Sequence, residues 1–397
     1  MIAQGDFAVL ALGGAGCRML SRLAALPGAE QLQLYAVDTD RDSLQNCGLP
    51  AENCLLAGEL WRNGRGCGGN VLDGQRALSH ERPRLTEMLS HCKFLVLTGG
   101  LGGGTATGGA AIVLSVASNL HLPSLCVFTL PFSQEGGRRI RTAEQTAAND
   151  ILPLTDALIT LPNDLLFSSL DAETPLAEAF QASDAQLARS VLALTAILSS
   201  GNLLNADFSS FCGLLKRKKC RCALGVGVME AGEADPAELS AQTAFTRMLS
   251  SPLLGGASVL TDADAVILTL LGGPELSLGN ARELFTLASS YLGPHAEVLT
   301  GAAVNPVWSR TFQFTALAIR FDEPNNSVSG VAGRKGRHRK SEDVAPDDGM
   351  VQPDLPIDEV VYRRGIMEKT APVRYYGEDL DIPTFQRRNL IIDTGKR

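Results

Sequence analysis

The sequence predicts an α/β fold: a doubly wound, mostly parallel sheet, followed by a long central helix, an α+β C-terminal domain and a disordered tail. Three observations predict it. Short apolar runs alternate with helical patterns through the first part of the chain, several of those runs end in glycine-rich turns, and one uninterrupted apolar stripe follows them.

The elements can be taken in order. "FAVLAL" at 7–12 leads into glycines and then "CRMLSRLAAL"; "LQLYAVDTD" follows. "KFLVLTGG" precedes a long glycine loop and "AAIVLSVASNL", and "LPSLCVFTLPF" and "DALITLPND" come next. Strand, turn and helix in repetition give a parallel sheet whose ligands sit beyond the carboxyl ends of the strands. From Thr174 to about Ser200 a single helix is expected. Leu176, Phe180, Leu187, Val191, Leu194 and Leu198 recur at helical spacing, with neither Gly nor Pro after Pro175. Such a stripe packs against a core, yet Asp184 lies on it, and a carboxylate on a buried face needs a partner.

After "GNLLNADFSSF" a second unit runs from about Cys212 to Phe321, mixing strands such as "AVILTLLG" and "FTALAIRF" with helical patterns. Beyond Asp322 the chain is polar and rich in Gly and Pro, which reads as a disordered linker. Its "GRKGRHRK" cluster reads as a solvated linker face, with contact to nucleic acid or acidic lipid as the alternative. At the far end "YYGEDLDIPTFQRRNLIIDTGKR" regains apolar residues, as a docking peptide or a frayed terminus. The expected divisions are 1–173, 174–204, 205–321, 322–374 and 375–397.

Composition narrows the function. The 397 residues are 45% hydrophobic and 20% charged, which is globular, and a net charge of −8 gives no electrostatic reason to expect nucleic-acid binding. Nine Cys without regular spacing and a start lacking a basic n-region suggest reduced thiols in a cytosol. No apolar stretch approaches the roughly 20 residues of a membrane span, so direct membrane insertion is not expected. "CRC" at 220–222 has no second Cys or His pair to complete a metal site.

The chemistry lies in the glycines. "TGGLGGGTATGGA", from Thr98, holds seven glycines in thirteen residues, and "GGAGCR" at 13–18 and "GRGCGGN" at 64–70 are two further glycine turns. Bare backbone lets successive N–H groups point into one concavity, and a helix starting there adds its dipole, which makes a phosphate cradle. The G-x-x-x-x-G-K-[ST] pattern is absent. G-x-G-x-x-G also fails in the first loop, although Asp38 falls where a ribose-binding acid of an NAD enzyme would sit; that alternative leaves the largest loop unexplained.

"GGGTATG" resembles the tubulin signature GGGTGTG, and its surroundings are similar to the FtsZ family of tubulin-like GTPases. The resemblance runs from about Phe7 to Phe321 through "LALGGAGCRML", "YAVDTDRDSL", "LPFSQEGGRRIRTAEQ", "ITLPNDLL", "LAEAFQASDAQL", "GNLLNADFSSF" and "LGVGVMEAGE", and resumes in "LDIPTFQRR". It implies a tubulin/FtsZ-like GTPase that binds GTP or GDP with Mg²⁺. Gly14, Ala15, Gly16, Cys17 and Arg18 would lie at the phosphates with Gly102, Gly103, Gly104, Thr105, Ala106, Thr107 and Gly108, the two threonines offering hydroxyls. Glu135 would bond the ribose and Arg139 would neutralise phosphate charge. Asn163, Phe180 and Asp184 would form the guanine pocket, Asp184 accepting from N1–H and the 2-amino group.

In the family a loop N-x-D-x-x-D from the next subunit completes hydrolysis. Here it reads "NADFSS": Asn205 and Asp207 match, and Ser210 replaces the second acid. Cys17, Arg18, Asp38 and Ala106 also depart from the family pattern: Arg18 could add a phosphate or base contact or point into solvent, and the hypothesis to test is that it pairs with Asp38 and compensates its charge. The resemblance implies head-to-tail filaments that form the cell-division ring in the cytoplasm at mid-cell. Asp381, Ile382, Pro383, Phe385, Arg387 and Arg388 would dock onto membrane-tethering or regulatory partners. The alternative is a structural filament protein that binds GTP and scarcely hydrolyses it, because of Ser210.

Overall fold

In a computed structural model of the chain, the described residues are 6–167, 170–171, 173–199, 208–215, 219–230, 241–304, 311–322, 374–375 and 378–379. Residues 1–328 form one compact unit and 329–397 a second. In the second, the described residues are two short antiparallel strands, Arg374–Tyr375 and Glu378–Asp379. Of the expected linker at 322–374, residues 323–373 lie outside the described residues, as do the docking residues Asp381, Ile382, Pro383, Phe385, Arg387 and Arg388.

The first unit is built on one ten-stranded sheet. Its strands are β1 (Phe7–Leu12), β2 (Gln33–Asp38), β3 (Cys54–Leu56), β4 (Phe94–Gly100), β5 (Ser124–Leu130), β6 (Ala157–Pro162), β7 (Cys220–Glu230), β8 (Ala265–Gly272), β9 (Glu297–Val304) and β10 (Thr311–Phe321). They lie in the order β3-β2-β1-β4-β5-β6-β7-β10-β8-β9. The first six are parallel, as the strand–glycine–helix alternation predicts.

Alternation along β1 shows why this sheet is covered on both faces. Phe7, Val9 and Ala11 join one apolar core with Met19, Leu20 and Leu23 of the helix Gly13–Ala24. Ala8, Leu10 and Leu12 join another with Ala110 and Val113 of the helix Thr105–Asn119. A strand buried on both sides needs no polar alternation, and "FAVLAL" has none.

The central helix spans Leu176–Ser199. Leu187, Val191 and Leu194 of the predicted stripe are buried in the first core, while Phe180 is 36% exposed. The lower part of the stripe is therefore packing and the upper part is something else.

The predicted second unit continues the same sheet. β7 begins beside β6, pairing Cys220 with Ala157 and Arg221 with Leu158, and β10 then runs antiparallel to both β7 and β8. A third apolar core, around Met248, Leu268, Leu284 and Phe314, packs this end. No described helix is long and apolar enough to cross a membrane.

Strand order fixes where a ligand can go. β1 is flanked by β2, which precedes it in space, and by β4 on the other side, so the connections leaving β1 and β4 diverge to opposite faces. A crevice opens at such a switch point, beyond the carboxyl ends of the strands. Leu12 and Gly99 are register partners, which brings the glycine turns after β1 and β4 side by side.

Candidate functional site

A cavity of about 740 Å³ occupies that crevice. Gly13, Gly14, Ala15 and Arg18 line it from the β1 turn, and Gly103, Gly104, Thr105 and Ala106 from the β4 turn. Glu135, Arg139, Asn163 and Phe180 line it from the later loops and the central helix. Residues from five separate stretches of sequence thus meet at the predicted place.

Two helices start at this cavity, Gly13–Ala24 and Thr105–Asn119, and neither has a side-chain cap. By contrast Asn70 caps the helix Val71–His80, and Ser277 caps Leu278–Ser289. The first N–H groups of an uncapped helix lack an intrahelical acceptor and carry the positive end of its dipole. Two such ends beside bare glycine backbone form a site for an anion.

The β4 turn is held in shape by its own contacts. Gly102 has φ of +94°; its N–H donates to Thr107 Oγ1 at 2.8 Å, and its carbonyl accepts from Arg139 Nε at 3.0 Å. Arg139 also pairs with Glu135 at 2.7 Å, and the other oxygen of Glu135 accepts the Phe132 N–H at 2.9 Å. The expected ribose acid and phosphate cation therefore brace each other and the loop.

Several predicted contacts are placed elsewhere. Cys17 is 1% exposed in the first core, where burial and nearby Asp38 raise its thiol pKa, so it packs and does not line the cavity. Gly108 lies against the helix Val71–His80; a Cβ there would come 2.1 Å from the Val71 carbonyl oxygen. Thr107 is buried and acts through the Gly102 N–H.

Thr105 lines the cavity, but its hydroxyl proton is committed. It donates to Asp38 Oδ1 at 2.9 Å, so the 2.8 Å contact with Thr39 Oγ1 is one in which Thr39 donates. The Thr105 hydroxyl is therefore not a phosphate donor in this arrangement. The third glycine turn, 64–70, packs behind the cradle, since a Cβ on Gly104 would lie 2.6 Å from Cys67 Cβ and 2.8 Å from the Asn70 oxygen.

The expected pairing of Arg18 with Asp38 is replaced by another. Asp38 is 3% exposed and its carboxyl pKa is raised by burial, against the lowering effect of hydrogen bonds from Thr105 and the Thr39 N–H. Arg18 reaches the other way: its Nε donates to Asp184 Oδ2 at 3.2 Å. Burial also raises the Asp184 carboxyl, with Arg18 opposing it.

Asp184 sits in a rear chamber of about 40 Å³ that shares Ala15, Arg18, Asn163, Phe167 and Phe180 with the main cavity. Gly16 lines this chamber and not the main cavity. Sequence reasoning misses Thr98 and Ser183, two further chamber residues whose hydroxyls are buried without a hydrogen-bond partner among the described residues. It also misses Phe132 and Phe167, which make an aromatic cluster with Phe180 at centroid distances of 4.6 to 6.0 Å. Phe132 stands two residues beyond the end of β5 in "LPF", at a strand end where a ligand-facing residue belongs. Asn205 and Asp207 lie outside the described residues, and Ser210 is exposed on the helix Phe208–Leu215.

Comparison with known proteins agrees with this geometry. The model for the GTPase domain of the Tubulin/FtsZ family matches residues 7–171, and that for the C-terminal domain of the FtsZ family matches 225–322. The cell division protein FtsZ of Azotobacter vinelandii is 28% identical over 388 residues, covering 96% of this chain and 95% of that protein. An empty FtsZ dimer from M. jannaschii matches with a TM-score of 0.70 at 27% identity, over 80% of this chain and 89% of that one. A GTPγS-bound CetZ2 protofilament from Haloferax volcanii matches with a TM-score of 0.60 at 18% identity, over 79% of this chain and 92% of that one, a likeness of fold alone. With a GTPase-domain match and an FtsZ C-terminal match in order along a ten-stranded sheet of the same fold, the chain belongs to the Tubulin/FtsZ family as an FtsZ-like member.

Proposed function

We propose that this protein binds GTP in the cavity at the β1/β4 switch point, assembles head to tail into filaments and hydrolyses GTP where one subunit meets the next. The observation that carries the reading is the cradle itself: two uncapped helix starts and two glycine turns converge on one cavity, with a carboxylate in the chamber behind it. The backbone N–H groups suit a polyphosphate. Asp184 suits the paired donors of guanine's N1–H and 2-amino group, which adenine lacks. Asn163 and the Phe132–Phe167–Phe180 cluster supply the remaining polar and stacking surface.

Among the described residues no group of three or more His, Cys, Asp or Glu could hold an ion, and Glu135 is already paired. Magnesium accompanying the nucleotide would be held chiefly by phosphate oxygens, where it spreads the charge of the leaving group.

Asn205 and Asp207 would act on the nucleotide of a neighbouring subunit, with Ser210 at the place of a second acid. Loss of a carboxylate that acts as a general base costs about 10²- to 10⁴-fold. Ser210 therefore favours a second reading, a GTP-binding filament with little turnover. In either case the filament would serve cell division in the cytoplasm at mid-cell, tethered through Asp381 to Arg388.

The test is phosphate release from GTP and Mg²⁺ as a function of protein concentration, for the wild type and Ser210→Asp. A rate per subunit that rises with concentration, and rises further in Ser210→Asp, supports an interfacial GTPase. GTP binding with no release in the wild type supports the second reading, and no GTP binding refutes both.

A further inference from the structure

The rear chamber offers more than one carboxylate. Asp184 Oδ2 is taken by Arg18, while its Oδ1 accepts no hydrogen bond among the described residues. Arg18, with its side chain 57% exposed, lines both the main cavity and the chamber, and its two η-nitrogens make no hydrogen bond among the described residues. A guanidinium held at Nε keeps its outer N–H groups in a fixed fork, so donors and an open acceptor stand side by side.

Guanine presents a matching edge: the 6-oxo acceptor lies next to the N1–H and 2-amino donors. We propose that Arg18 is a specificity-determining residue that donates to the 6-oxo group of guanine while Asp184 accepts from N1–H and the 2-amino group. This rests on the GTP-binding reading above and adds a reader to it. Adenine is then rejected twice, because its 6-amino group faces the donors of Arg18 and its N1 faces the carboxylate. The buried hydroxyls of Thr98 and Ser183 agree with a polar occupant, since unpartnered buried polar groups are costly. The chamber has room on the order of one or two waters, which can join those hydroxyls to the base edge.

The pairing with Asp184 also removes Arg18 from the other role its position suggests, a phosphate clamp. A guanidinium anchored at the base end cannot neutralise phosphate charge without breaking a bond to a partly buried carboxylate.

The probe is 6-thioguanosine triphosphate, which keeps N1–H and the 2-amino group but replaces the 6-oxo oxygen with sulfur, a weak acceptor. Its affinity and that of GTP are measured by displacement of a fluorescent guanine nucleotide, at neutral pH and at protein concentrations too low for assembly. The proteins are the full-length wild type and Arg18→Met, which preserves the apolar stem; thermal melting of the variant checks that the exposed substitution leaves the fold intact. We expect the wild type to prefer GTP by about tenfold, the scale of one charge-assisted hydrogen bond at a half-exposed site. Arg18→Met should lose that preference by weakening GTP and leaving the thio analogue unchanged. If Arg18→Met binds GTP equally well or more tightly, Arg18 only shields Asp184 and the inference fails. An equal loss for both nucleotides also overturns it, since the effect would then run through the charge of Asp184. A wild type that binds neither nucleotide overturns the proposed function and this inference together.

Discussion

Gly102→Ala and Gly103→Ala place the same methyl group on neighbouring residues of the β4 turn and should fail in different ways. At Gly102 the φ of +94° is left-handed, which costs an L residue about 1–2 kcal/mol. Its Cβ would also lie 2.6 Å from Pro131 Cγ and 3.0 Å from Arg139 Cγ. Carbon atoms meet comfortably at about 3.5–4.0 Å, so the turn must move by about 1 Å, an overpacking cost on the order of 1–3 kcal/mol. The sum is about 2–5 kcal/mol, and the same movement pulls on the bonds from Gly102 to Thr107 and Arg139. At Gly103 an added Cβ meets no heavy atom within 4 Å, yet the residue lines the cavity. Its methyl would stand where backbone must approach the ligand. Thermal melting without nucleotide should therefore show Gly102→Ala several degrees below the wild type and Gly103→Ala unchanged. GTP titration should show both weakened, Gly103→Ala by about tenfold or more, or about 1.4 kcal/mol. Wild-type melting of Gly102→Ala would refute the strain argument, and wild-type affinity of Gly103→Ala would refute close approach of the turn to the phosphates.

Asp38→Asn should raise stability at neutral pH, because burial lifts the Asp38 carboxyl pKa above its unfolded value. The folded state then holds the proton more tightly, so wild-type stability falls as pH climbs from about 4 through the raised pKa. Urea unfolding across pH should show the two proteins converging at the acid end and separating toward neutrality; a gap independent of pH would count against this. GTP affinity of unassembled protein should change only a few-fold between about 50 and about 500 mM KCl, since Arg18 and Arg139 are each already paired with a carboxylate and so offer the phosphates little net charge for salt to screen. A steep decline would mean that an arginine leaves its partner for the phosphates.

Much of this was legible in the sequence because backbone geometry has simple signatures. "FAVLAL" and "KFLVL", alternating with helical patterns, read as strands of a parallel sheet, and glycine turns at their ends placed the cradle. Continuity of the sheet was not legible, since the junction rests on only two residue pairs, at Cys220 and Arg221, far in sequence from their partners on β6. Nor was the partner of Arg18. The sequence offered Asp38, and only the helix packing that sets Arg18 beside the central helix brings it to Asp184 instead. The third glycine turn misled for a related reason. Glycine serves close packing as readily as anion binding, and at 64–70 it brings Cys67 and Asn70 against Gly104.

The four departures near the nucleotide site are unequal in consequence, and burial separates them. Cys17 enters the core, and Asp38 is covered and satisfied by Thr105 and the Thr39 N–H. Ala106 lines the cavity but is 3% exposed, with its methyl close to Gly99, where an added Cβ would lie 3.3 Å from it and 2.6 Å from the Leu12 oxygen. Each of these three changes is absorbed by neighbours that do not alter the row of backbone N–H groups. Arg18 is different, because it is exposed at the seam between cavity and chamber and binds Asp184, the carboxylate proposed to recognise the base. A phosphate end made of backbone tolerates changes of side chain, provided its glycines stay. The base end is made of side chains, so a change there alters what can be read, and Arg18 is where this chain is expected to differ from its relatives in function.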